Sequence, residues 1–176
     1  MSEPPYAQAE PFRTPRLDAI PLRVGHAAEM AAVLADPALH TFIGGAPASP
    51  AALRARYERL VVGSPDPAVR WCNWVLRLRE EERLVGTVQA TVTGSVAEIA
   101  WVVGPPWQGR GLATEAARGL VSALASPSSY VRTVIAHIHR DHHASESVAR
   151  ASGLHPTREV QDGERRWRLE LPASSS

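Results

Sequence analysis

A short glycine-containing segment between a β-like run and a helical run constrains the fold more than any other part of the chain. The β-like run covers residues 97–103 and the helical run covers residues 112–125. Between them, Gly109 and Gly111 flank Arg110. Glycine lets the backbone turn tightly and approach a ligand closely, and a helix start offers free N–H groups and the positive end of its dipole. The segment therefore predicts a site for a phosphate or pyrophosphate.

The other segments predict an α+β fold built on one mixed, mostly antiparallel sheet. The predicted strands are residues 17–24, 70–79, 84–93, 96–103, 131–138, 154–160 and 165–171. The predicted helices are residues 27–35, 51–62 and 112–125, and a helix capped by Asp141 that runs to Ser152. These elements give about six to seven strands and about four helices. They form one domain over residues 14–171, with loose tails at 1–13 and 172–176.

Composition excludes several functional classes. The chain has 176 residues and is 44% hydrophobic, which suits one globular domain with a sizeable core. The net charge of +1 provides no overall field that would favour nucleic acid or an anionic membrane. No apolar run reaches the roughly 20 residues that span a bilayer, and the polar, proline-rich start is unlike a secretory signal. We therefore expect a cytoplasmic protein, and arginine at all 19 basic positions favours a bacterial source.

Three kinds of phosphate loop compete for the glycine segment. A P-loop requires a lysine after its last glycine, and the chain contains no lysine. A dinucleotide fold requires G-x-G-x-x-G after its first strand and an acidic residue about 20 positions later. Here Thr114 stands at the third glycine position and the segment lies in mid-chain. The third kind, Q/R-x-x-G-x-G/A, matches Gln108, Gly111 and Ala113.

This third pattern resembles the pyrophosphate-binding signature of the GNAT superfamily of N-acetyltransferases. Its surroundings strengthen the resemblance over residues 14–171. The strand at 98–105 resembles the splayed strand before the loop, and residues 142–154 resemble the family's later helix. Residues 14–17 and 36–45 are similar to the branch that contains ribosomal-protein N-terminal acetyltransferases.

The resemblance implies that acetyl-CoA binds as co-substrate in a cleft between two splayed strands. Backbone groups of Val102 and Val103 would pair with the pantetheine arm, and an N–H near them would face the acetyl carbonyl. Main-chain N–H groups of residues 109–114 would hold the pyrophosphate. Arg110 either reaches a phosphate or is a solvated loop arginine. The implied cofactor-binding residues of the loop are Gln108, Gly109, Arg110, Gly111, Leu112, Ala113 and Thr114.

Glu98 is the candidate general base for acetyl transfer to an amine. It is an acidic residue in an otherwise apolar strand, and the family often has an acid or its water relay there. The alternative is that Glu98 points to solvent from the edge of the sheet. Buried strand carboxylates are uncommon without a role, which favours the catalytic interpretation.

The general acid is less clearly indicated. Many members of the resembled family use a tyrosine in the later helix, and Ala149 stands at that position here. Ser145 is the nearest candidate, either as a hydrogen-bond partner of the CoA sulfur or pantetheine or as a first-turn residue that satisfies free N–H groups. His142 replaces the family's usual asparagine and is a candidate cofactor contact.

Two further clusters offer alternatives. His137, His139, His142 and His143 with Asp141 suggest a metal, but they lack the H-E-x-x-H spacing and a cysteine partner, so we predict no metal site. The family's acceptor pocket forms from the 42–48 loop, the second helix and the last hairpin. The candidate acceptor contacts there are Phe42, Tyr57 and Trp167.

The predicted function is acetyl-CoA-dependent N-acetyltransfer to a primary amine, by direct transfer in a ternary complex. The acceptor is a protein N-terminus or a small-molecule amine, and the chain is expected to act without nucleic acid or membrane. Absence of the family tyrosine keeps a second interpretation open, a catalytically silent acyl-CoA-binding or sensing module. A homodimer also stays open, because fold-level resemblance does not determine partners.

Overall fold

A single eight-stranded sheet organises the protein, and the computed structural model describes residues 9–43 and 45–173 of it. The strands are β1 (Phe12–Arg13), β2 (Leu17–Pro21), β3 (Val69–Leu78), β4 (Arg83–Thr93), β5 (Val96–Val103), β6 (Thr133–His139), β7 (His155–Gln161) and β8 (Glu164–Glu170). The helices are α1 (Ala27–Val33), α2 (His40–Ile43), α3 (Pro50–Val62), α4 (Leu112–Leu124) and α5 (His143–Ala151). The sheet order is β1-β2-β3-β4-β5-β6-β8-β7, and only β5 and β6 are parallel.

The predicted α+β class and mixed sheet are confirmed, with small differences at the element level. The eighth strand, β1, lies in the segment predicted as a loose tail, where Phe12 and Arg13 pair with Ala19 and Asp18 of β2. The fifth helix, α2, lies in a segment without a predicted element. The prediction that Asp141 caps the last helix is wrong: the cap is His142, whose ring accepts a hydrogen bond from the N–H of Ser145. Outside β1, the assignment of residues 1–13 and 172–176 as tails stays a prediction.

The two faces of the sheet carry different helices. On one face, Cys72, Trp74 and Val92 lie near Leu120 of α4. On the other face, Asn73 and Gln89 lie near α3. Side chains of successive strand residues point to opposite faces, which explains this division. Within the described ranges, no helix has the length and apolarity needed to cross a membrane.

β5 and β6 separate after a short paired segment. Their register joins Val96 to Thr133, Ala97 to Val134 and Glu98 to Ile135, and it ends there. β5 continues to Val103 against β4, while β6 continues to His139 against β8. A cleft therefore opens between the two strands beyond Glu98.

A glycine on the neighbouring strand fits the end of β5 closely. The register between β3 and β4 shifts between Leu76 and Arg77, which skips Val85 and leaves it as a bulge. The next residue, Gly86, has no room for a side chain, because a Cβ there would lie 2.2 Å from the Val102 carbonyl oxygen. Gly86 therefore allows β4 and the end of β5 to approach closely.

Candidate active site

The glycine segment forms a loop that ends in the free N-terminus of α4. Gly109 and Gly111 have φ angles of +75° and +77°, a left-handed conformation that favours glycine. The first intrahelical bond runs from the Glu115 N–H to the Gly111 carbonyl. The N–H groups of Leu112, Ala113 and Thr114 precede that bond, so they have no partner within the helix. Together with the helix dipole, they make this end suitable for an anion.

The loop is held against the sheet by its own side chains. The Gln108 side-chain amide donates to the Val103 carbonyl at 2.9 Å. The Trp107 indole N–H and the Arg110 guanidinium both donate to Glu81, at 2.8 Å and 3.1 Å. These two hydrogen bonds lower the pKa of the Glu81 carboxyl. Glu81 lies in the turn between β3 and β4, and no local sequence signal distinguishes it from the acidic residues beside it.

A second contact secures the start of α4. Glu115 accepts hydrogen bonds from the Thr14 hydroxyl, from the Arg16 N–H at 2.9 Å and from the Arg16 guanidinium at 2.8 Å. Burial opposes ionisation of Glu115, but these hydrogen bonds outweigh it and hold the pKa of the carboxyl below its usual range. The Arg16 guanidinium also lies 3.5 Å from the place of a Cβ on Gly111. The segment at 14–17 therefore packs beside the glycine segment and the start of α4.

A cleft of about 370 Å³ runs from this loop between β5 and α5. It brings together all of the predicted cofactor-binding residues except Arg110, which is joined to Glu81 instead. The predicted residues that line it are Val102, Val103, Gln108, Gly109, Gly111, Leu112, Ala113, Thr114, His142 and Ser145. The lining residues that the sequence did not indicate as cofactor contacts are Leu39, Trp101, Trp107, Ala144, Ser147 and Val148.

The backbone direction of β5 distinguishes the residues that face the cleft. The Gly104 N–H donates to the Val85 carbonyl at 2.8 Å, and the Val102 carbonyl is directed at Gly86, so both groups face β4. Backbone groups of successive strand residues alternate between the two edges. The backbone groups of Trp101 and Val103 therefore face the cleft. Of the two predicted residues, this alternation favours Val103, and it adds Trp101.

His142 and Ser145 form a pair at the start of α5. The His142 Nδ1 accepts from the Ser145 N–H at 3.1 Å, and its Nε2 lies 3.3 Å from the Ser145 hydroxyl. Because Nδ1 is an acceptor, a neutral imidazole carries its proton on Nε2, which then donates to the hydroxyl oxygen. Burial lowers the pKa of His142, which favours this neutral form. The Phe42 ring lies 4.3 Å from the imidazole, between ring centroids.

Glu98 lies where β5 and β6 separate, outside the lining of the cleft. One of its carboxylate oxygens is 2.6 Å from Nδ1 of His137 on β6, and the Glu98 side chain is 48% exposed. The Arg166 Nε donates to Nε2 of the same imidazole at 3.4 Å. Glu98 is thus neither buried nor a free solvent carboxylate, because an imidazole partner holds it. From the sequence, His137 is a candidate only as a metal ligand, because the strand register that places it beside Glu98 joins segments that are far apart in the chain.

The candidate acceptor contacts occupy different environments. Tyr57 lines a pocket beside the cleft. Phe42 packs on His139 and His142. Trp167 is only 1% exposed in the core, with the Arg150 guanidinium over its ring, so it does not line that pocket. Within residues 9–43 and 45–173, no group of three or more His, Cys, Asp and Glu side chains has a metal-binding arrangement.

This geometry agrees with a family model. A model described as the acetyltransferase (GNAT) domain matches residues 16–155. The chain belongs to the GNAT acetyltransferase family. Membership confirms the predicted family, the acyltransferase class and acetyl-CoA as co-substrate. No curated protein sequence matches the chain.

Solved GNAT structures are similar in fold. A GNAT-family acetyltransferase from Bacillus anthracis has 16% sequence identity and a TM-score of 0.78, over 92% of this chain and 98% of that one. The ribosomal L7/L12 alpha-N-protein acetyltransferase RimL in complex with CoA has 14% identity and a TM-score of 0.77, with the same coverage. An acetyltransferase from Salmonella typhimurium that modifies the N-terminal serine of L7/L12 has 13% identity and a TM-score of 0.75, over 93% of this chain and 100% of that one. At these identities the likeness concerns the fold alone.

The contact between Glu115 and Arg16 predicts a pH-dependent loss of stability in this GNAT domain. We expect Glu115→Gln to lower the free energy of unfolding by about 1 to 2 kcal/mol, because it removes charge-assisted hydrogen bonds. A carboxyl whose pKa is lowered on folding stabilises above its unfolded pKa and loses that effect as pH falls. The difference from wild type in thermal melting should therefore shrink below about pH 4. Glu58→Gln, at an exposed ion pair on α3, is the matched control and should melt like wild type.

The His142 cap predicts a second pH effect, in which folding favours the neutral form of the side chain and not, as for Glu115, the charged form. Folding lowers the pKa of His142, so the unfolded chain takes up a proton first as pH falls below about 6.5. Wild type should therefore lose more melting temperature between pH 7.5 and 5.5 than His142→Asn, in which the cap cannot titrate. The other histidines are present in both proteins, so their contributions to the change in melting temperature cancel in the comparison. Equal losses in the two proteins would contradict a neutral His142 cap.

Proposed function

We propose that this GNAT protein transfers an acetyl group from acetyl-CoA directly to a primary amine within a ternary complex. One observation carries the proposal: the phosphate loop, the cleft-facing edge of β5 and Ser145 line one cleft, and Glu98 lies where the two strands of that cleft separate. A donor site and a proton acceptor therefore adjoin the same opening in the sheet.

The donor side of the cleft fits acetyl-CoA. The free N–H groups of Leu112–Thr114 suit a pyrophosphate. The cleft-facing backbone groups of Trp101 suit an amide of the pantetheine arm, whereas the Val103 carbonyl already accepts from Gln108. Bound acetyl-CoA supplies an acetyl group activated as a thioester. The Val103 N–H is the proposed donor to the acetyl carbonyl oxygen, where negative charge develops. Gln108 keeps this strand end and the loop in a fixed relation.

Glu98 is the proposed proton acceptor. His137 occupies one carboxylate oxygen, and the other has no hydrogen-bond partner among the described residues. Glu98, Ala100 and Val102 alternate onto the sheet face that carries α3 and the pocket lined by Tyr57, Ala100 and Val102, so the Glu98 side chain lies on the same face as that pocket. The carboxylate takes the proton of the amine through one or more water molecules, since Glu98 does not line the cleft itself.

Ser145 is the proposed partner of the departing thiolate. His142 Nε2–H donates to the Ser145 oxygen, which leaves the hydroxyl hydrogen free to point into the cleft. Such a donor stabilises negative charge on sulfur and takes over part of the role of the tyrosine that Ala149 replaces. The one cysteine, Cys72, is buried in β3 outside the cleft lining, and burial raises the pKa of its thiol, so no cysteine is placed to form an acetyl-enzyme, which favours direct transfer.

Thiol release from acetyl-CoA over a panel of primary amines tests the proposal. We expect release that depends on the amine and on both substrate concentrations, with intersecting initial-velocity lines. Parallel lines would indicate a covalent acetyl-enzyme and contradict direct transfer. Binding of CoA with no amine-dependent release by any amine would instead support a silent acyl-CoA-binding module.

A further inference from the structure

A second, smaller pocket opens beside the cofactor cleft on the face that carries α3. It holds about 240 Å³ and shares Leu39, Trp101 and Val102 with the cleft. Pockets for drug-sized ligands are larger, about 300–1,000 Å³. The shared residues place this side pocket beside the strand end at which the acetyl group is expected. Its volume leaves room for a small group only.

The side pocket combines an apolar wall with four neutral polar side chains. Five leucines form most of the wall. The four are Tyr57, Asn73, Thr87 and Gln89, and the lining also contains the His40 imidazole and the Arg56 guanidinium. Asn73 and Gln89 are register partners on β3 and β4, so their two primary amides lie side by side.

These polar side chains are available to a ligand. None of the four makes a side-chain hydrogen bond to another described residue. The Tyr57 hydroxyl is not among the buried polar atoms that lack a partner, so it reaches accessible space. Burial raises the pKa of Tyr57 to about 12, which keeps the phenol a neutral donor. Such groups are costly to leave unpaired once a ligand excludes water.

The charge of the side pocket excludes one class of acceptor. Its described lining contains no carboxylate, and its one permanently charged group is the Arg56 guanidinium. A polyamine or an aminoglycoside carries several ammonium groups besides the one that reacts. The pocket lining offers those groups no counter-charge, since Glu98 lies outside it, and the exposed Arg56 guanidinium repels them.

We infer that the side pocket binds the acceptor and selects a primary amine that carries a small uncharged amide group, over polycationic amines. The Asn73 and Gln89 amides present donors and acceptors that match a neutral amide. The inference rests on the proposed acetyl transfer. A free amino-acid amide and the first residue of a peptide share this chemistry, and separate arms of the test distinguish them.

The first arm compares kcat/KM, expressed per concentration of neutral amine at the assay pH, for alaninamide, a short peptide amide that begins with alanine, and spermidine. We expect both amides to exceed spermidine by about tenfold or more, because the pocket lining offers no counter-charge to the further ammonium groups and Arg56 repels them. A preference for the peptide over alaninamide would assign the site to chain termini, and the reverse to small molecules. Either order supports the pocket chemistry, whereas a preference for spermidine overturns it.

The second arm uses Gln89→Leu, which removes one amide at similar volume. We expect KM for alaninamide to rise about tenfold and KM for 3-methylbutylamine, which has no amide, to change less than about twofold. Each amine is compared between two proteins, so its own ionisation cancels. Gln161→Leu, at the exposed end of β7, is the control and should leave both values unchanged.

The outcomes separate the inference from the proposal beneath it. Equal KM changes for both amines in Gln89→Leu would overturn the inference alone, since acetyl transfer would still occur. Absence of thiol release with every amine in wild type would contradict the proposed transferase itself. Melting curves of the variants establish that each one is folded.

Discussion

Replacement of Glu98 by glutamine is expected to lower kcat for acetyl transfer by about 100- to 1,000-fold, within the range of about 10²–10⁴ that a positioned general base contributes. Glutamine keeps the shape of the side chain and can still accept a hydrogen bond from His137 Nδ1, 2.6 Å from the carboxylate. It cannot take up the proton of the amine. We therefore expect a fall in kcat with little change in KM for acetyl-CoA, measured as thiol release at saturating amine.

Glu170→Gln provides the matched control for this variant. Glu170 is also an exposed strand carboxylate, paired with Arg168 and Thr133, but it lies on β8 away from the opening between β5 and β6. It should retain wild-type kcat. A Glu98→Gln protein that keeps kcat within about twofold would show that another group accepts the proton.

Gly111→Trp is expected to weaken CoA binding by about 100-fold or more. The indole would lie beside Arg16 at the N-cap of α4, and the positive φ of Gly111 would strain the loop that leads to the N–H groups of Leu112–Thr114. Loss of two charge-assisted hydrogen bonds, each worth about 1.5 kcal/mol or more, corresponds to this factor. Titration calorimetry with CoA measures it directly.

Gly94→Trp is the control that distinguishes loss of the CoA-binding site from the effect of backbone strain. Gly94 has a φ of +59° in the turn between β4 and β5, with open space at its Cβ. Tryptophan there carries a similar strain, of about 1 to 3 kcal/mol, without approaching the loop. The control should melt lower and bind CoA normally. A folded Gly111→Trp protein with normal CoA affinity would mean that the phosphate loop is wrongly assigned.

Elements with local signals could be predicted from the sequence. Strand β5 has its predicted bounds, and the Ser49 side chain caps α3 with Pro50 at the first helical position, a pair of residues typical of a helix start. Asp162 and Gly163 have consecutive positive φ angles of 52° and 79°, as a tight hairpin turn requires. These features depend on neighbouring residues, which a sequence displays directly. The glycine segment at 109–111 is likewise a local feature that the sequence displays directly.

Features that join distant segments could not be predicted. Strand β1 has two residues and exists because β2 lies beside it, which no periodicity over two residues can indicate. The contacts of Glu81 with Arg110 and of Glu115 with Arg16 span 29 and 99 positions. The partner of Glu98 required the register of a parallel strand pair. In the candidate site, the sequence therefore indicated the residues but not the contacts that orient them.

Gly86 shows that intolerance to mutation and participation in chemistry are separate properties. It touches no proposed substrate group, yet a single methyl there would collide with the Val102 carbonyl at 2.2 Å and displace the strand end that borders the cleft. In a saturation mutagenesis survey, position 86 would rank with the phosphate loop in sensitivity. A map of activity loss on this sheet therefore outlines the positions that set strand spacing as well as those that contact substrate.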